Sequence, residues 1–117
     1  MKELDFTQFI EIVGSSCKNN YLKLDKAMMI SFYATWCPAC QDVLNIIDQI
    51  EPQYESDILQ FKVDTDVDVI LSSFFGVTSL PTMVFFANDQ KPETMIGRVT
   101  EETLHSLIQE TIKKHSG

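Results

Sequence analysis

The hydrophobic pattern switches period several times along the chain. Residues 28–34 read Met-Met-Ile-Ser-Phe-Tyr-Ala, a nearly continuous apolar run. Such a run suits a strand covered on both faces, hence a central parallel strand. Val43, Ile46, Ile47, Ile50 and Tyr54 then recur at helical spacing. Pro38 fits the first turn of that helix, where its missing N–H costs nothing. Pro52 is expected to distort or close its far end. A strand over 58–63 and a short helix over 67–75 follow, with Gly76 placed to cap the helix. Two further strands, 82–87 and 94–99, flank the turn-rich Asn88-Asp89-Gln90-Lys91-Pro92 and should pair antiparallel. Thr100 caps a last helix with Leu104, Leu107, Ile108 and Ile112 inward, and Lys113 and Lys114 lie near its negative end.

Before the central strand the signals weaken. Asp5 and Gln8 have the spacing of a capping box, and Phe6, Phe9, Ile10 and Val13 share one helical face. Gly14-Ser15-Ser16 should end that helix. Cys17 continues its apolar spacing, so a buried, inert thiol is expected there. Residues 18–26 are polar and irregular, with room for a short edge strand over 21–24. The order helix, strand, helix, strand, helix, strand, strand, helix predicts an α/β fold. It is a central mixed sheet of four or five strands flanked by helices on both faces, one domain over residues 1–117.

Length and charge narrow the possibilities. A chain of 117 residues, 44% hydrophobic, can bury a core without disulfide staples. Nine Lys+Arg against seventeen Asp+Glu give a formal charge of −8, which disfavours nucleic acid and anionic membrane as partners. No apolar run suits a membrane span, and the acidic start, Met1-Lys2-Glu3-Leu4-Asp5, does not read as a signal peptide. The expectation is a cytoplasmic protein, or an exported one if a leader has been removed. Asp64, Asp66 and Asp68 alternate, but no Gly or late Glu completes a calcium loop.

The chemistry lies in Cys37-Pro38-Ala39-Cys40, between a buried strand and a helix. Two intervening residues let one turn bring both sulfurs into bonding distance. The first Cys then sits among unpaired N–H groups at the positive helix end, which favours thiolate, the nucleophilic form. The second, deeper Cys can attack a mixed disulfide from within the chain. Bland readings stand beside this one: half a zinc site, a permanent structural disulfide, or an inert pair in a binding module. Zinc would need ligands from Cys17, His105 and His115, which form no second paired motif, so no metal and no cofactor are expected.

Around the cysteines the chain resembles the thioredoxin family. Phe32-Tyr33-Ala34-Thr35-Trp36-Cys37 is similar to the family's strand leading into the active site. Lys62-Val63-Asp64-Thr65-Asp66 is similar to its next strand, and Gly76-Val77-Thr78-Ser79-Leu80-Pro81-Thr82 to its cis-proline segment. The resemblance implies that Cys37 attacks, Cys40 resolves and Trp36 shields the pair. It also implies a cis Pro81 against the sulfurs, a Leu80 backbone that pairs with a substrate strand, and Gly97 beside the groove. With Pro38, these residues form the expected substrate groove. Lys62 matches the lysine behind the site, and Ser31 stands where the family has a buried aspartate. The inter-cysteine pair is Pro-Ala rather than the usual Gly-Pro, and Asn45 replaces a helix-kinking proline.

The implied activity is thiol–disulfide exchange by a monomer, acting on disulfide-containing protein substrates. A separate thioredoxin reductase or equivalent electron donor would restore the dithiol. An exported oxidase or isomerase and a nonenzymatic binding module are the alternatives.

Overall fold

The computed structural model describes residues 1–14, 17–18, 21–22, 24–88 and 90–117, without the side chains of 17, 18, 21 and 22. Its elements are β1 (Lys2–Glu3), α1 (Phe6–Val13), β2 (Cys17–Lys18), β3 (Tyr21–Leu22), β4 (Ala27–Tyr33) and α2 (Pro38–Tyr54). They continue with β5 (Ile58–Asp64), α3 (Val69–Phe74), β6 (Thr82–Phe86), β7 (Glu93–Ile96) and α4 (Glu101–Ser116). The main sheet has the order β1-β5-β4-β6-β7. β1 and β4 run parallel to β5, whereas β6 pairs antiparallel with both β4 and β7.

The unbroken apolar character of β4 follows from its central place. Alternate side chains point to opposite faces of a strand. Met28, Ile30 and Phe32 pack with Phe9 and Val13 of α1 and Leu71 of α3. Ala27 and Met29 pack with Val43, Ile47 and Ile50 of α2 and Leu104 and Ile108 of α4. Phe75 joins the first layer, its ring 5.2 Å from Phe9, 5.6 Å from Phe32 and 5.6 Å from Phe86, each in an edge-on arrangement. Each large side chain fully buried in these layers contributes about 1.5–3 kcal/mol.

Local signals set most helix ends. The Asp5 carboxylate accepts the Gln8 N–H at 2.7 Å, and the Gln8 side chain accepts the Asp5 N–H at 3.1 Å, completing the capping box. Gly14 ends α1 with φ of 48°, a conformation that favours glycine. Asp68 caps α3, so that helix starts at Val69. Thr100 caps α4 through its hydroxyl.

Four expectations need correction. The strand expected over 21–24 is not an edge of the main sheet: β3 pairs with β2 in a separate hairpin. The edge belongs to β1, whose pairing with β5 is extended by the Leu4 N–H on the Lys62 carbonyl at 2.8 Å. Cys17 does not continue α1 but starts β2, and the burial of its side chain lies outside the described residues. The last strand stops at Ile96 instead of 99, where Gly97 turns the chain at φ of 95°. Pro52 does not close α2, which continues two residues further to Tyr54.

Candidate active site

The buried β4 leads through Thr35 and Trp36 directly into α2. Cys37 is the N-cap of α2, and Pro38 occupies its first turn. The Cys40 N–H donates to Cys37 Sγ at 3.2 Å. The two Cα atoms are 5.3 Å apart and the sulfurs are in disulfide contact. Oriented N–H groups at this helix start stabilise negative charge on the Cys37 sulfur. Tyr33, Ala34 and Leu44 wall the pair. Cys40 is fully buried, and Cys37 retains 6% of its surface, much less than an open thiol but more than its partner.

A shallow cleft of about 340 Å³ lies beside Cys37, lined by Trp36, Thr65, Val77, Thr78 and Leu80. Trp36 is 68% exposed, and its indole N–H donates to Asp66 Oδ2 at 2.8 Å. The Leu80–Pro81 peptide is cis, as the family resemblance implied. Leu80 packs on the cysteine cluster. The Gly97 N–H donates to the Pro81 carbonyl at 2.8 Å, tying the end of β7 to this loop. Space around Gly97 is open, so its positive φ, not crowding, calls for glycine.

Behind the pair, Ser31 lies directly opposite Lys62 in the β4–β5 register. Ser31 Oγ is buried and has no hydrogen-bond partner among the described residues. Lys62 finds its carboxylate elsewhere: Nζ is 3.8 Å from Glu3 Oε1 of β1 and 5.5 Å from the centre of the Tyr33 ring. The Tyr33 hydroxyl donates to the same Glu3 oxygen. The result is a Glu3–Tyr33–Lys62 group on the α2 side of the sheet.

Burial pushes the Tyr33 hydroxyl well above the ordinary phenol range, and Glu3 and then Asp64 push it the same way. The folded-state value lies above the unfolded one. The stabilisation is therefore complete below about pH 10 and is lost as pH rises through the folded-state value. An alkaline absorbance titration should show Tyr33 ionising above the ordinary phenol range, with loss of structure accompanying its ionisation. Glu3→Gln should bring its titration to lower pH. An unchanged titration in Glu3→Gln would show that Glu3 exerts no influence on this hydroxyl.

The structure thus gathers Trp36, Cys37, Pro38, Cys40 and Leu80–Pro81 at one end of the sheet, with Gly97 linked through the Pro81 carbonyl. Glu3, Tyr33, Thr65, Asp66, Val77 and Thr78 were not among the expected site residues. Alternation along β4 and β5 could have placed Tyr33 with Ser31 and Asp64 with Lys62. No sequence signal pairs Trp36 with Asp66. Among the described residues, no group of three His, Cys, Asp or Glu is placed to hold a metal ion. His105 engages the Tyr54 hydroxyl at 2.6 Å, and His115 Nδ1 accepts the Asn88 N–H at 3.2 Å.

The thioredoxin family model matches residues 8–110. Thioredoxin 1 of a Nostoc species is 33% identical over 105 residues, covering 90% of this chain and 94% of that protein. The thioredoxin of Borreliella burgdorferi is 37% identical over 86 residues, 74% of each chain. Among solved structures, Malassezia sympodialis thioredoxin superposes with a TM-score of 0.74 at 28% identity, covering 92% of this chain and 86% of that one. Chloroplastic thioredoxin z superposes with a TM-score of 0.78 over 95% of this chain and 93% of that one, and at 18% identity it speaks for the fold alone. No helix among the described residues is long and apolar enough to cross a membrane.

Proposed function

This chain belongs to the thioredoxin family and is a thiol–disulfide oxidoreductase, and from that premise we propose that Cys37 is its attacking thiol and Cys40 its resolving thiol. The observation that carries the assignment is the asymmetry of the pair. Cys37 caps the helix and keeps a little surface, while Cys40 is sealed one turn deeper.

In the reducing direction the Cys37 thiolate attacks one sulfur of a substrate disulfide. That S–S bond breaks, a mixed disulfide forms, and the first substrate sulfur leaves as thiolate and takes a proton from water. The Cys40 thiolate then attacks the Cys37 sulfur, expelling the second substrate thiolate and closing the internal disulfide. Two electrons pass from dithiol to substrate, and a separate reductase returns them. Trp36, Pro38, Leu80, Pro81 and Gly97 form the groove that holds the substrate strand in this reading, while Ser31 and Lys62 tune proton movement behind it.

The protein acts as a single-domain monomer in the cytosol, where thiols are kept reduced. Pro38-Ala39 between the cysteines leaves direction to the reduction potential. A potential above that of the glutathione couple would mark an exported oxidant or isomerase. The roles are tested by brief alkylation of the reduced protein near neutral pH with a small iodoacetamide reagent, followed by peptide mapping. Cys37 should be modified first, and preferential modification of Cys40 would reverse the two roles.

A further inference from the structure

We propose that the partner-docking surface runs from Trp36 over the β5–α3 turn onto α3 and α1, and that its occupant is a substrate-protein segment with an apolar ridge flanked by Lys or Arg. The proposal rests on the exchange reading above and adds the chemical class of the substrate. Isolated exposed apolar residues are ordinary on protein surfaces. Here they form a strip. Val67, in the turn before α3, is 81% exposed, and Ile70 and Phe74, four residues apart on one side of α3, are 64% and 62% exposed. The Phe74 ring leans on Phe6 at 6.4 Å and Phe9 at 5.9 Å of α1, the helix that also carries the exposed Ile10 one turn beyond Phe6. At the other end, Asp66 holds the Trp36 indole and precedes Val67 in the chain. The strip is therefore continuous with the cleft at Cys37.

Its flank is acidic. Glu3, Asp5, Asp64 and Asp68 line a cleft of about 570 Å³ together with Val67 and Tyr33, and Asp66 stands between that cleft and Trp36. Lys62 pairs with Glu3. The other four carboxylates have no ammonium or guanidinium within ion-pair reach among the described residues. Asp5 and Asp68 accept backbone N–H groups as helix caps, which does not cancel their charge. A second copy of this chain would set the same five carboxylates against these five, so self-association is disfavoured. A segment with cationic flanks meets complementary charge while its apolar residues cover Val67, Ile70 and Phe74. Ten extended residues span about 33 Å, comparable with the domain's own width, so a short peptide can follow the strip.

The test uses the oxidised protein and fluorescent, cysteine-free ten-residue peptides, with Leu and Val flanked by three Lys or, in a matched control, by three Glu. At low ionic strength the Lys peptide should bind at least about tenfold more tightly than the Glu peptide, with the difference shrinking towards ~0.5 M salt. Val67→Ser combined with Ile70→Ser should weaken binding about fivefold at every salt concentration, because it removes apolar contact area. Asp5→Asn combined with Asp64→Asn should weaken it by about fivefold only at low salt, since Asn preserves the Asp5 cap and removes charge alone. Thermal melts of both pairs establish that they fold. Equal affinity for the two peptides, binding indifferent to both pairs of substitutions, or a dimer in sedimentation that occludes the strip would each overturn the proposal. Reduction of 2-hydroxyethyl disulfide by the dithiol protein is measured in parallel. Its absence would sink the exchange reading while leaving the peptide result to stand or fall on its own.

Discussion

Cys37→Ser should lower turnover of a protein disulfide by at least about a thousandfold, because a serine hydroxyl is not ionised near neutral pH and the remaining thiol of the pair, Cys40, is fully buried. Cys40→Ser should behave differently. Its Cys37 still attacks, so one substrate thiolate is released, but the mixed disulfide has no internal thiol to resolve it. The variant should accumulate a covalent adduct of chain plus substrate, visible by nonreducing electrophoresis and reversed by added dithiol. Both sites are tightly packed, with Cys40 fully buried among Tyr33, Ala34 and Leu44. Replacement of sulfur by oxygen is small in volume, so both proteins should fold, and urea unfolding curves check this. An adduct trapped by Cys37→Ser and not by Cys40→Ser would exchange the two roles. An adduct from neither would show that the pair does not react with substrate at all.

How legible the site was depended on the range of the interactions that build it. Cys37 and Cys40 could be read from spacing because one helical turn, a purely local geometry, brings their sulfurs together. The central strand was readable because both faces of β4 are covered, which leaves an apolar run in the sequence itself. β1 was not readable. Its two residues are exposed and carry no periodicity, and it exists as a strand because the β5 backbone receives it. With β1 hidden, the Glu3–Tyr33–Lys62 group was hidden too. A one-residue slip in register would turn Glu3 to the opposite face of the sheet and leave Lys62 without it. Ser31 leaves β4 with no carboxylate opposite Lys62, and nothing in the sequence signals that β1, on the other side of β5, supplies one. The Trp36–Asp66 bond was hidden for a similar reason, since it joins two turns whose approach is fixed by the parallel pairing of β4 with β5.

Ser31→Asp should speed the resolving step near neutral pH by about tenfold while making the fold less stable. Ser31 and Tyr33 lie on the same face of β4, one pleat apart, and Tyr33 packs with Cys37 and Cys40. A carboxylate at position 31 would sit under the cysteine pair with Lys62 directly opposite in register. It can accept a proton as Cys40 becomes a nucleophile. The serine hydroxyl is neutral and can only relay a proton through water. The Glu3 carboxylate does not replace it, because it is engaged by the Tyr33 hydroxyl and Lys62 at the sheet edge. In the native protein, decay of a preformed mixed disulfide should therefore accelerate steadily as pH rises, since deprotonation of Cys40 depends on water or hydroxide. In Ser31→Asp the rate should level off at lower pH. The stability cost has a definite sign. Burial raises the folded-state carboxyl value above the unfolded value of about 3.9, so the destabilisation is absent in acid and grows as pH rises through the folded-state value. At neutral pH it should reach several kcal/mol unless Lys62 turns from Glu3 to the new carboxylate. Ser31→Asn separates charge from shape, since it has similar volume and cannot take the proton. Stopped-flow decay of the mixed disulfide between pH 5 and 9, measured on all three proteins, decides the matter. If Ser31→Asn and Ser31→Asp follow the same profile, a change of packing accounts for the rate, and proton transfer to position 31 is excluded.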